Sequence, residues 1–199
     1  MNVLAKAHVC LTVTMLSCVL FLGCASVPDR ATLVTPELRP GVAAGYLQPS
    51  ELPDSVALLP PPPTLDSASY QADLEASEVR KVRGSERWVQ AQRDAVLSFP
   101  GAAGIFECAI GAPISEEGTP HLYRLLRRSR TDSAAVSDAA KDKYRRIRPF
   151  VVNREESCTP DKEAGLAQNG SYPSGHTSIG WAWALILTQV APARTNEVL

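Results

Sequence analysis

The sequence predicts an all-α domain, a helical bundle, and three observations carry that expectation. Alternating apolar and polar runs of the kind a half-buried strand requires are nearly absent. Several segments repeat apolar residues every three or four positions between capping signals, and residues 174 to 190 are apolar around almost the whole helical circumference. With 199 residues, 45% of them hydrophobic and 21% charged, the chain has material for about one core. Its formal net charge of -1 supplies no global basic field, so a nucleic-acid polymer is not an expected partner. Any anion must be bound by a local cluster.

Residues 1–24 read as an export signal, with Lys6 and His8 in a short polar start and an apolar run from Val9 to Leu22 that is too short to span a bilayer comfortably. The run ends in Phe21-Leu22-Gly23-Cys24. This resembles the lipobox of bacterial lipoproteins and would make Cys24 a lipidation site and membrane anchor; ordinary cleavage after Ala25 is the alternative. Either way the expected location is periplasmic or secreted. Of five cysteines, only Cys108 and Cys158 lie beyond the signal. In an oxidising compartment two thiols suggest one disulfide, Cys108 to Cys158, worth roughly 4 kcal/mol on a chain-entropy argument; the alternative is two free thiols.

Residues 25–63 are rich in proline, ending in the run Pro60 to Pro63, and show no helical period, so an extended arm is expected before a domain at 64–199. Tyr70, Leu74 and Val79 form a spaced apolar stripe, and Gly84-Ser85 supplies a break and a cap before Glu86 to Leu97, which gives two helices. After a glycine-rich stretch and loops at Gly111, Pro113 and Gly118, Thr119-Pro120 signals another start, and that helix is expected to reach about Arg130. Asp132 or Ser133 can cap a further helix that Pro149 stops. A long loop follows from Phe150 to Tyr172, and Ser174 to Val190 forms a helix buried in the middle of the bundle.

Two segments carry candidate chemistry. Lys141 and Arg148 are seven residues apart, two helical turns with about 20° of drift, so one helix would present both cations on one side. A guanidinium there can grip a phosphate with two parallel bonds, and the lysine adds a compact charge. Pro173-Ser174-Gly175-His176 opens the last long helix, whose free amides and positive dipole end suit an anion; Gly175 allows close approach and Ser174 adds a hydroxyl. His176 is of a residue type suited to general-acid work on a leaving alkoxide. Taken separately, the segment from Lys141 to Arg148 reads equally as a solvated basic face, and Ser174 and His176 as a helix cap and a helix-start histidine.

Together, Lys141-x6-Arg148-Pro149 and Pro173-Ser174-Gly175-His176 resemble the first two motifs of the phosphatidic acid phosphatase type 2 superfamily. The finer resemblance is to bacterial class A non-specific acid phosphatases, through Leu58 to Pro63, Ala139 to Asp142, Arg146 to Phe150 and Asn169 to Trp181. It covers about residues 55–199. The resemblance implies an all-α bundle of the acid phosphatase and vanadium haloperoxidase type. It implies that Lys141, Arg148, Ser174 and Gly175 hold phosphate and that His176 protonates the leaving group. The implied reaction is hydrolysis of small-molecule phosphate monoesters of broad range through a phosphohistidine, with no metal or other cofactor, in a homo-oligomer.

In that family the nucleophilic histidine lies in a third motif, Ser-Arg-x5-His-x3-Asp, to which these residues have no match. The resemblance therefore implies a chain truncated before that motif, incomplete at its C-terminal end. His121 is the other histidine beyond the signal, and it stands outside the family motifs. Two alternatives follow from the same pattern: a vanadate-dependent haloperoxidase, whose motifs hold vanadate in place of phosphate, and a non-catalytic remnant that binds an oxyanion without turnover.

Overall fold

A computed structural model of the chain describes residues 34–76 and 81–199. The expected signal at 1–24, its Cys24, the first part of the arm and Val79 lie outside the described residues. Helix dominates what is described, and the sole sheet there is a two-stranded hairpin. Strands β1 (Glu37–Arg39) and β2 (Val42–Ala43) pair antiparallel, Glu37 against Ala43 and Arg39 against Val42. A 3-10 turn at Pro49–Glu51 leads to α1 (Ser55–Leu58), capped by the Asp54 carboxylate, which accepts from the Val56 and Ala57 amides.

After the proline run come α2 (Ala68–Ala76) and α3 (Glu86–Asp94), the second capped by the Ser85 hydroxyl accepting from the Trp88 amide, as the Gly84-Ser85 signal leads one to expect. A 3-10 stretch at Gly101–Phe106 runs into α4 (Glu107–Ile110). Then follow α5 (Pro120–Tyr144), α6 (Pro149–Asn153), α7 (Glu163–Leu166) behind a 3-10 turn, α8 (Gly175–Val190) and, after another 3-10 turn, α9 (Thr195–Val198).

Helix α5 departs from expectation in one respect: it is a single helix of 25 residues with no break between Arg130 and Ser133. The residues read as caps have other partners. The Ser133 hydroxyl bonds back to the Ser129 carbonyl, a pattern compatible with an unbroken helix. Thr131 donates to the Ala43 carbonyl at 2.8 Å, and the Asp132 carboxylate accepts from the Tyr46 and Leu47 amides at 2.9 and 3.2 Å. Arg128 adds a bond to the Ala44 carbonyl and lies 3.8 Å from the Tyr46 ring centre, while Arg127 pairs with Glu37. Residues 37–47 are thus clamped along α5. At Gly45 the approach is so close that a Cβ would stand 1.9 Å from Asp132 Oδ1, which leaves room for glycine alone.

The core is the contact of α5 with α8, joined by the segment from Leu97 to Ile114. Trp183, Leu126 and Leu187 are fully enclosed, and Ile179, Tyr123, Ile114 and Ala102 surround them. Burying side chains of this size stabilises by about 1.5–3 kcal/mol each. Trp183 also donates its indole N–H to the Leu126 carbonyl at 3.0 Å, and Phe99 meets both Tyr123 and Trp183 edge to face. The helix expected to be buried all round is buried on one side. Trp181, Leu185 and Val190 are roughly half exposed, because α5 and the 97–114 segment cover only the Ile179–Trp183–Leu187 face.

The expected Cys108–Cys158 disulfide is not formed. Both thiols are free, Cys108 exposed in α4 and Cys158 half-buried between α6 and α7. Other bonds organise that loop: Arg83 pairs with Glu156, Gln92 donates to the Cys158 carbonyl, and Glu163 accepts from the Ser157 amide. With α6 and α7 built into it, the stretch from Phe150 to Tyr172 carries its own structure. Among the described residues no helix is long and apolar enough to cross a membrane.

Asp132→Ala removes the acceptor of two backbone amides at once. The substitution is expected to cost about 1–3 kcal/mol and to speed amide hydrogen exchange at Tyr46 and Leu47, while exchange in the middle of α8 keeps its rank as the slowest.

Candidate active site

The last turn of α5, the loop from Leu166 to Pro173 and the first turn of α8 meet at Lys141. Its side chain runs inward, 9% exposed, and its ammonium donates to the Pro173 carbonyl and to the Gly170 carbonyl at 3.4 Å. Two of the three ammonium donors are thereby assigned. Gly175 lies directly against this stem: a Cβ there would be 3.7 Å from Lys141 Cε and 3.6 Å from Ser137 Oγ. Ser174 caps α8 by accepting from the Thr177 amide at 3.2 Å. The free-amide end of α8 therefore sits beside a buried cation, an arrangement that attracts anions from both sides.

Lys141 and Arg148 do not share a helix face, as their spacing suggested. Helix α5 ends at Tyr144, Arg145 adopts the left-handed conformation at φ 43°, and Arg148 is the extended cap residue before Pro149, which starts α6 instead of stopping α5. The two cations converge by another route. Arg148 Nε donates to the Leu166 carbonyl at 2.7 Å, and Nη2 donates to the Asn169 side chain and to the Gly170 carbonyl at 3.3 Å, the same oxygen that Lys141 uses.

Burial lowers the Lys141 ammonium from its usual value, the Arg148 charge lowers it further, and Asp138 one turn away opposes both. Burial likewise lowers Arg148. Asp138 is raised, mainly by burial and also by Asp142, against the pull of Lys141. The two cations thus raise the local potential where an anion would remove strain from both.

Two cavities meet at Ser174. One, of about 940 Å³, is lined by Pro60 to Pro63, Tyr70, Arg145, Arg146, Arg148 and Tyr172 together with Ser174. The other, of about 450 Å³, holds His176 with Arg87, Asp94, Ala95 and Trp183. His176 is exposed, and its Nε2 lies 3.2 Å from the Ala95 carbonyl. Lys141, Ser174 and Gly175 are therefore brought together, Arg148 joins them from the larger cavity, and His176 faces the smaller one. His121 is in the first turn of α5, about 30 Å along the helix from Lys141 at 1.5 Å per residue, and takes no part. Among the described residues no three of histidine, cysteine, aspartate and glutamate are grouped to hold a metal.

Gly170 is a positioning residue that reading the sequence passed over, although it lies in the segment Asn169 to Trp181 that carries the resemblance. A Cβ there would be 2.8 Å from the Lys141 carbonyl, so only glycine lets the loop lie on the end of α5 and offer its own carbonyl to both cations. Tyr144 and Tyr172 are two more. Their rings meet at 5.7 Å, and their hydroxyls donate to the carbonyls of Leu59 and Pro60, which pins the proline run as a wall of the larger cavity. A tyrosine inside the first motif and another just before the second, with a proline run far off in sequence, are the signal that could have located this contact.

Residues 131–198, from the middle of α5 into α9, match the family model described as PAP2 superfamily. The chain is 42% identical over 156 residues to a protein of Providencia stuartii named non-specific acid phosphatase, covering 77% of this chain and 63% of that protein. Another so named, from Salmonella typhimurium, is 40% identical over 155 residues, 77% of this chain and 62% of its own length. An acid phosphatase of Zymomonas mobilis is 36% identical over 147 residues, 73% of this chain and 56% of its length. The chain thus spans somewhat under two thirds of the relatives it matches.

Gly170→Ala is expected to push the loop off α5 and to destabilise the chain by about 1–3 kcal/mol, read from urea unfolding. Lys141 contributes a definite sign to pH dependence. Its folded pKa is below its unfolded one, so the unfavourable burial of its charge is fully present below the folded pKa and fades as pH rises through it. The stability of the native chain relative to Lys141→Met should therefore increase from neutral to alkaline pH, as measured by paired denaturation curves.

Proposed function

Because residues 131–198 match the family model described as PAP2 superfamily, we propose that the chain acts on phosphate monoesters, with Lys141, Arg148, Ser174 and Gly175 holding the phosphoryl group and His176 protonating the departing alkoxide. The single observation that carries the reading is the contact of Gly175 with the Lys141 stem, which sets a desolvated cation against the amide end of α8. Phosphate oxygens presented there accept from backbone N–H groups and from the ammonium in a partly dry site, where such bonds are strongest. Arg148, held at a fixed angle by the loop carbonyls, adds charge from the side of the larger cavity.

His176 stands one residue into α8, so it sits beside the same phosphoryl group while facing the smaller cavity. On this reading the P–O bond to the alcohol breaks as the phosphoryl group passes to a histidine nucleophile, which the family carries in the third motif that has no match among these residues; the alkoxide takes the imidazolium proton of His176, and water then attacks the phosphohistidine and returns a proton to His176. The names of the relatives, non-specific acid phosphatase, support small-molecule esters of broad range as substrates. An exported enzyme, lipid-anchored through Cys24 and homo-oligomeric, completes the proposal; its support is the composition of residues 1–24 and the family resemblance.

Titration of the chain with inorganic phosphate at mildly acidic pH tests the site. Saturable binding is expected, weakened at least about tenfold in Lys141→Met, in line with loss of a charge-assisted bond worth roughly 1.5–3 kcal/mol. Affinity should fall as pH rises through the depressed Lys141 pKa, since the anion favours the protonated ammonium. No saturable binding by folded chain removes the reading. Where turnover is measured with a chelator present, His176→Ala should slow alkyl phosphates more than activated aryl phosphates, and equal losses take the general-acid role away from His176.

A further inference from the structure

The larger cavity holds a cation that binding of one phosphoryl group leaves unused. Arg145, Arg146 and Arg148 line it together with a single carboxylate, Asp73. Asp73 pairs with Arg146 at 2.9 Å, and Arg146 also lies 5.5 Å from the Tyr70 ring centre, so that charge is neutralised and its side chain is held. Arg148 is fixed by loop carbonyls beside the proposed phosphate site. Arg145 remains. It is exposed and, among the described residues, its guanidinium has no hydrogen bond, ion pair or ring contact.

Its backbone is a second, independent observation. Arg145 stands immediately after α5 in the left-handed region at φ 43°, where glycine or asparagine sits at less cost than a long side chain. This conformation follows from the site. The Arg145 amide caps the Lys141 carbonyl at 2.9 Å, and the Arg145 Cα lies 3.4 Å from where a Gly170 Cβ would be, so the turn is locked to the loop that carries Gly170. The guanidinium is thereby placed on the wall of the cavity that contains Ser174, on a rigid turn, with the Pro60 to Pro63 wall among its other lining residues.

We propose that Arg145 forms a second anion subsite, which selects phosphate monoesters whose alcohol portion carries a further negative group, a carboxylate or a second phosphate. The inference rests on the phosphate-site reading above and extends it to the leaving group. The phosphoryl group sits at Ser174, Gly175 and Lys141 with its ester oxygen toward His176, at Ser174 where the two cavities meet, and the rest of the alcohol portion extends into the larger cavity. Its distal anion then meets a guanidinium that has no internal partner to give up, so the interaction is not offset by a broken ion pair. An ester without a distal anion occupies the same cavity and gains nothing from Arg145.

The experiment is a pair of titrations of the full chain with 3-phosphoglycerate and with glycerol 3-phosphate, which differ by the distal carboxylate. The expected result is that the carboxylate-bearing ligand binds about tenfold more tightly, equivalent to roughly 1.4 kcal/mol. In Arg145→Gln, which keeps a straight-chain residue in the same turn, the ratio should fall to about one with glycerol 3-phosphate affinity retained. Arg145→Lys should recover part of the preference. Lys143→Gln is the control for net charge, because Lys143 is exposed, lies over the Tyr144 ring and does not line the cavity; it should leave the ratio unchanged. Equal affinity for the two ligands in the native chain, or a preference that survives Arg145→Gln, overturns the second subsite while leaving the phosphate site standing. Failure to bind either ligand overturns both.

Discussion

The carbonyl of Gly170 is the point on which the site depends. Lys141 from α5 and Arg148 from the cap of α6 both donate to it, which lets two like charges stand close together without a carboxylate between them. Neutral carbonyl dipoles hold the cations in place yet leave the region electropositive, whereas a paired aspartate would hold them equally well and cancel the field. The fold supplies this oxygen only because residue 170 has no side chain, so that the loop can lie within contact of the end of α5. Loop, helix end and cation geometry are therefore one structural unit.

Two helices give that unit its rigidity. Trp183 fills the space between α8 and α5, and its indole bond to the Leu126 carbonyl fixes the register of one helix against the other. Ser178 donates to the Ser133 carbonyl at 2.8 Å nearer the site. Sliding one helix along the other would move Gly175 away from Lys141 and break both bonds together, so packing in the core and alignment at the site are the same constraint. The clamp of residues 37–47 on the opposite side of α5 acts on the same helix, through Thr131 and Asp132.

What the sequence revealed was the local chemistry, and what it hid was the tertiary use of that chemistry. Ser85 and Ser174 cap helices where their positions announce it, because a cap is satisfied within three residues of itself. Asp132 and Ser133 announce a cap as clearly, but their partners are about 85 residues away and one turn back, and no local pattern records that. The same logic explains Arg148: a helix that runs as far as Arg148 and stops at Pro149 is the simplest way to align it with Lys141, while the molecule aligns the two through a loop oxygen. That Lys141, Arg148, Ser174 and Gly175 belong near one another was legible, and the fold brings them together. The division of the site between two cavities was not legible, since it depends on which way the first turn of α8 faces.

The proline run also bears on what recognition costs in chain entropy. Prolines 60 to 63 have their φ angles fixed by their own rings, and Tyr144 and Tyr172 fasten the start of the run by its carbonyls. A ligand entering the larger cavity meets a wall that has little disorder left to lose. Its binding should then involve a small loss of chain entropy, with the heat of association governed by desolvation of the guanidinium groups and the ligand. A wall made of glycine and serine with the same outline would offer the same contacts but bind the same molecules more weakly, because ordering it on binding costs chain entropy.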